Sequence, residues 1–173
     1  IKGIEGQEVA IPNDATNQGR AINLLAANDL VTLKKKGKLT PDPADIDAAK
    51  SKVKVTPVDA SQTPSAYGEG APAIITNSFF KRAGINPAEA VLYDDPEAPS
   101  ADPTIMFDPY INVWAVQEKD KDNDKVKRLA QLYLSPEVKK AVQETTGGTT
   151  IFVDRPQNEL QEILDRLETS SAE

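Results

Sequence analysis

Three polar side chains occupy positions at which a protein could hold an amino acid by its charged groups. Arg20 falls in the first turn of a predicted helix, Asn77 closes a predicted strand, and Asn112 lies inside another. A guanidinium can bind a carboxylate through paired hydrogen bonds, and an amide offers both a donor and an acceptor. This combination suits the carboxylate and ammonium groups of an amino acid.

Each of these residues also has a purely structural interpretation. Arg20 is the type of residue that often forms a surface ion pair, and Asn77 could cap the helix that follows it. Asn112 interrupts an apolar strand, so it requires a hydrogen-bond partner if it is buried. The residues alone leave these alternatives open.

The composition removes most catalytic chemistries. The 173 residues include no cysteine and no histidine, which excludes thiol nucleophiles, imidazole bases and zinc sites built on either. The net charge of −7 argues against a nucleic-acid partner, because phosphate recognition needs a basic surface. The carboxylates show no pairing that suggests acid–base catalysis. We therefore expect a binding protein that is not an enzyme and uses no cofactor or metal.

The elements that must position these residues alternate along the chain. Apolar runs predict strands at residues 8–11, 53–56, 73–76, 90–93, 111–116 and 149–153. Helical spacing predicts helices at about 17–30, 79–83 and 124–134, one starting at Ser135, and a C-terminal helix with Leu160, Ile163, Leu164 and Leu167 on one face. Strands that alternate with helices favour an α/β fold with a mainly parallel sheet. Ligands bind such sheets beyond the carboxyl ends of the strands.

A charged connector at residues 118–124 suggests a boundary. It divides the chain into an α/β unit, 1–117, and a mostly helical C-terminal segment, 118–173.

Several segments resemble those of one family. Residues 9–21, VAIPNDATNQGRA, are similar to the signature segment of the NlpA/MetQ lipoprotein family, the methionine-binding subunits of ABC importers. Residues 73–78, 109–113 and 135–140 (AIITNS, PYINV and SPEVKK) also resemble family segments, in the same order. The likeness extends over nearly the whole chain.

The resemblance implies one lobe of a type II periplasmic-binding-protein fold, with 118–173 completing the other lobe. By position, Arg20 would hold the ligand carboxylate, and Asn77 and Asn112 its α-amino and carboxylate groups. Tyr110 is the fourth expected ligand-binding residue. The implied partners are methionine or a related amino acid and the permease and ATPase subunits of an importer.

The implied location is extracytoplasmic, through a lipid anchor. We expect the anchor, the signal peptide and an N-terminal half-lobe to lie outside this chain. The apolar face of the last helix would then lack its natural cover, which favours association. An effector-binding domain of a transcription regulator, which shares the architecture, is the alternative.

Overall fold

A computed structural model describes residues 3–95 and 102–171. Its sheet is parallel: β1 (Glu8–Pro12) pairs with β2 (Lys54–Val58) in the register that sets Ala10 opposite Thr56. On the other side of β1, Ala73 forms a parallel bridge with Ala10. The α/β class with parallel pairing is confirmed, and β1 lies between β2 and the bridging residue Ala73.

The described part of the chain forms seven α-helices: α1 (Ala15–Ala27), α2 (Thr63–Gly68), α3 (Phe80–Ala83), α4 (Pro103–Met106), α5 (Asp124–Tyr133), α6 (Pro136–Thr145) and α7 (Gln157–Ser171). Short 3-10 turns connect several of them. Within the described ranges, every helix is too short or too polar to cross a bilayer.

Helix α1 begins and ends earlier than its apolar spacing predicts. The Asp14 side chain accepts a hydrogen bond from the Asn17 amide at 3.0 Å, which satisfies one of the free donors of the first turn and starts the helix at Ala15. At the other end, Asp29 adopts a left-handed conformation with φ of 54°, so the chain leaves the helix after Ala27. Arg20 consequently lies in the second turn of α1, not in the first.

The core lies between the sheet and α1. Val9 and Ile11 of β1 pack with Ile22 and Leu25 of α1, all four almost fully buried. Burial of one such side chain stabilises the fold by roughly 1.5–3 kcal/mol. The best-packed part of the molecule therefore holds the start of α1, and Arg20 with it, at the carboxyl edge of β1.

Four of the six predicted strands do not form strands in the structure. Residues 73–76 pair only through Ala73, and residues 90–93, 111–116 and 149–153 join no sheet among the described residues. The side chains of Val91, Val113 and Ile151 are more than half exposed. Apolar alternation identifies a segment able to enter a sheet, but a strand forms only where a neighbour supplies hydrogen bonds.

The C-terminal segment is anchored to the rest of the chain through one buried carboxylate. Asp108, 7% exposed, accepts hydrogen bonds from Arg155 at 3.0 Å and from Arg166 of α7 at 2.7 Å. Ile163, on the same helix, is buried. The expectation that the apolar face of the last helix lacks cover is therefore wrong for Ile163, while Leu164 remains 47% exposed.

Aromatic rings make a second set of contacts in this region. Trp114 meets Tyr133 of α5 edge to face, with ring centroids 6.2 Å apart, and Tyr133 contacts Phe152 at 6.4 Å. This geometry is favourable for aromatic pairs. Trp114 nevertheless stays half exposed.

Gly19 allows α1 to approach the segment that leads to Pro41. A Cβ added at Gly19 would lie 2.9 Å from the Thr40 Cα, a backbone atom that cannot rotate away. We expect Gly19→Ala to lower the free energy of unfolding by about 1–3 kcal/mol, the usual cost of overpacking. Gly68→Ala, in helix α2 with open space around the added methyl, is the matched control and should be neutral or slightly stabilising. Thermal unfolding of both variants checks this, and equal stabilities would contradict the close approach.

Candidate functional site

Arg20 is held at both its face and one edge. Its Nε donates a hydrogen bond to Asp94 Oδ2, and its guanidinium carbon lies 5.0 Å from the centre of the Tyr110 ring. The side chain is 39% exposed, so the ion pair is screened by solvent and contributes little to stability. Arg20 does form the ion pair that the alternative interpretation expected, and the structure brings Arg20 and Tyr110 together as well.

Both terminal nitrogens of this guanidinium make no hydrogen bond to any described residue. The edge formed by the two Nη atoms is the edge that binds a carboxylate with two parallel hydrogen bonds. Arg20 therefore keeps one guanidinium edge that no described residue engages by a hydrogen bond, on a side chain that is 39% exposed.

Tyr110 is held by a hydrogen bond to a backbone carbonyl that also accepts a hydrogen bond from a second side chain. Its hydroxyl donates to the Leu39 carbonyl at 3.4 Å, and the buried Asn23 donates to the same oxygen at 3.1 Å. Burial raises the pKa of the Tyr110 phenol above its ordinary value, so the ring stays neutral and its hydroxyl keeps its proton. Asn23 lies one turn after Arg20 on α1, which links the Tyr110 support to the helix that carries Arg20.

Asn77 lies at the same sheet edge. The Ala10 amide donates to the Pro72 carbonyl at 2.9 Å, and the Ile74 amide donates to the Ala10 carbonyl at 2.8 Å. The chain thus runs parallel to β1 and reaches Asn77 at the edge where α1 starts. Asn77 is half-buried, and the first residue of a 3-10 turn, Asn77–Phe79. The alternative that it caps the following helix is wrong, because neither the turn nor α3 has a side-chain cap.

Asn112 follows Tyr110 by two positions, is exposed, and lies outside any helix or strand. Its side chain makes no hydrogen bond within the described residues, and because it is exposed it does not need one. The argument from a buried polar group in a strand therefore does not apply to this residue. Its closeness in the chain to Tyr110 is the structural link between Asn112 and Arg20.

Sequence reasoning missed Asp94 and Asn23. Asp94 directly follows the predicted strand 90–93, so the strand-end rule that selected Asn77 also applies to it. Asn23 stands between Ile22 and Leu24 in the apolar stripe of α1, a polar residue that requires a partner once buried. Both signals were present in the sequence.

The site has the character of a binding site for a small charged molecule. Within the part of the chain that the structure describes, no group of three or more acidic residues is placed to hold a metal ion. Arg20 supplies the positive charge, Tyr110 an aromatic face, and Asp94 a compensating negative charge. These groups can orient a ligand through its carboxylate.

Residues 3–153 match the sequence model of the NlpA lipoprotein family. The D-methionine-binding lipoprotein MetQ of Escherichia coli (strain K12) is 30% identical over 150 residues, which cover 85% of this chain and 52% of that protein. The chain thus spans about half the length of this curated relative.

Two solved structures share the fold. Protein PG110 from Staphylococcus aureus is 34% identical, with a TM-score of 0.79 over 96% of this chain and 64% of the other. A nutrient binding protein from Burkholderia cenocepacia, whose structure holds methionine, is 30% identical, with a TM-score of 0.64 over 83% of this chain and 57% of the other. The fold class predicted from the sequence is confirmed by these likenesses.

Proposed function

Because this chain belongs to the NlpA lipoprotein family, we propose that it is part of a substrate-binding protein that captures methionine or a related amino acid for an ABC importer. The relatives support this choice of ligand: one is named as D-methionine-binding, and another was solved with methionine. The function is capture and delivery, without a chemical step. The ATPase and permease subunits of an importer are the proposed protein partners.

One observation carries the proposal. The Arg20 guanidinium lies over the Tyr110 ring, with its Nε on Asp94 and its Nη edge unengaged by described residues. An arginine placed at the carboxyl edge of a parallel sheet is suited to bind the ligand carboxylate. The aromatic face keeps water from one side of the guanidinium, which strengthens the interaction.

Asn77, Asn112 and Tyr110 complete the proposed site. Asn77 reaches the sheet edge beside β1, and its amide would bond the α-amino or the carboxylate group. Asn112, adjacent in the chain to the Tyr110 segment, would do the same from the other side. Tyr110 would position Arg20.

We also propose the division into 1–117 and 118–173, with the second segment completing another lobe. The exposed apolar side chains of 111–116 and of α5 support this, since they form a surface suited to packing. The remainder of that other lobe would correspond to the part of the longer relatives that this chain does not match. The names of the relatives as lipoproteins support an extracytoplasmic, membrane-anchored location.

The apolar surface of α5 gives a testable consequence. Leu129, Leu132 and Tyr133 share one face of α5, and each is more than 40% exposed. We expect the 173-residue chain to self-associate in sedimentation velocity, because a surface of this kind favours contact. Leu129→Glu should weaken association by about tenfold, or ~1.4 kcal/mol. The control is Val91→Glu, since Val91 is 76% exposed outside that surface; equal effects of the two changes would count against α5.

The proposed function is tested by calorimetry on the product of the complete gene. Methionine should bind with a dissociation constant well below that of leucine or glutamate. A panel of amino acids by thermal shift, run in parallel, identifies a different ligand if one binds more tightly. Absence of binding to every amino acid in the panel would refute the proposal.

A further inference from the structure

The ion pair at Arg20 places a negative charge beside a site that accepts a negative group. Asp94 bonds the Nε edge of the guanidinium, and its own side chain is 26% exposed. A carboxylate that binds the Nη edge therefore comes close to a second carboxylate on the same arginine. A site built only to attract anions would not carry this charge.

We propose that Asp94 is a specificity-determining residue, which positions Arg20 and makes the site select zwitterionic amino acids over carboxylates that lack an α-ammonium group. This inference rests on the proposed function. Asp94 acts on the ligand through charge and through Arg20.

The positioning effect follows from the two contacts of Arg20. The long arginine side chain loses rotamer freedom when it binds a ligand, and a side chain that is already held loses less. Asp94 fixes Nε, and the Tyr110 ring supports the face of the guanidinium. The remaining Nη edge is thus oriented before any ligand arrives.

The charge effect follows from the combined charge of Arg20 and Asp94. Arg20 and Asp94 together carry no net charge, so a bare carboxylate is attracted by one and repelled by the other. An amino acid adds an ammonium group, which Asp94 attracts. Opposite charges within about 4–6 Å favour each other even at sites that are partly solvated. The difference in affinity between amino acids and carboxylates that lack an α-ammonium group should therefore depend on Asp94.

The test compares methionine with 4-(methylthio)butanoate, which is methionine without its amino group. Calorimetry on the complete gene product gives both dissociation constants, and hence their ratio, for the unchanged protein and for Asp94→Asn. We expect the preference for methionine to fall by about tenfold in Asp94→Asn, an effect equal to one partly screened charge pair. Asp94→Glu should restore most of the preference, since it keeps the charge.

Asp47→Asn is the matched control. Asp47 is also 26% exposed and also forms an ion pair, with Lys50 at 3.0 Å, yet it lies outside the site. Its variant should leave the ratio unchanged. Circular dichroism checks that all the variants are folded.

Three results would overturn the role of Asp94. If Asp94→Asn tightens both ligands equally, Asp94 is only a competitor for Arg20. If the variant weakens both ligands equally, the role of Asp94 is only structural, and if neither dissociation constant changes, Asp94 has no role in binding. Failure of the proposed function is distinguishable from these, because it shows as the absence of methionine binding to the unchanged protein.

Discussion

Replacing Arg20 with alanine should weaken methionine binding by about 30- to 4,000-fold in the complete gene product. Loss of one partner from a hydrogen-bonded charge pair costs about 2–5 kcal/mol when the pair is enclosed. Arg20 supplies the positive charge at the site, and its guanidinium is held by the Tyr110 ring and by the Asp94 carboxylate. The ligand carboxylate would lose both of its paired hydrogen bonds.

Two further variants make the measurement specific. Arg20→Lys keeps the charge but loses the planar pair of donors, so we expect an intermediate loss. Arg128→Ala removes an exposed arginine of α5 and should leave binding unchanged. Isothermal calorimetry gives the three dissociation constants, and undiminished binding by Arg20→Ala would exclude Arg20 from the site.

The second large effect concerns the buried carboxylate. Asp108→Ala should lower the free energy of unfolding by about 2–3 kcal/mol, because removing one member of a buried pair leaves the other charges uncompensated. The cost stays below the full range for buried pairs, since Arg155 and Arg166 are 31% and 43% exposed and can be hydrated.

Asp154→Ala provides the matched control, as Asp154 is an exposed acidic residue next to Arg155. Urea denaturation should show little change for it. Limited proteolysis adds a local readout: α7 should be cleaved faster in Asp108→Ala, because the ion pair of Arg166 on α7 and that of Arg155, just before α7, are both removed. Equal stability of the two variants would mean that Asp108 does not hold α7.

The parts of the fold that depend on local signals were predictable. Asp14 caps α1, Ser135 followed by Pro136 caps α6, and Gly84 takes the left-handed conformation at the end of α3, each a residue type that favours its position. These features require only a few neighbouring residues. Strands 90–93, 111–116 and 149–153 depend on a neighbour elsewhere in the chain, and alternation alone cannot identify one.

The candidate residues of the site were selected from the sequence, and their role in binding stays a prediction. The strand-end rule selected Arg20, Asn77 and Asn112, and the resemblance added Tyr110. The contact between Arg20 and Asp94 spans 74 positions in the sequence. Contacts at that separation come from the tertiary fold and leave no local pattern.

The aromatic contact of Trp114 makes the fluorescence of this chain report on one place in the fold. Trp114 is the single tryptophan in the sequence, and its ring borders Tyr133 while half of it faces water. Its emission therefore reports on one place, the junction between 111–116 and α5. A blue shift on assembly would signal that this junction has been covered, while ligand events that are confined to Arg20 would leave the spectrum unchanged.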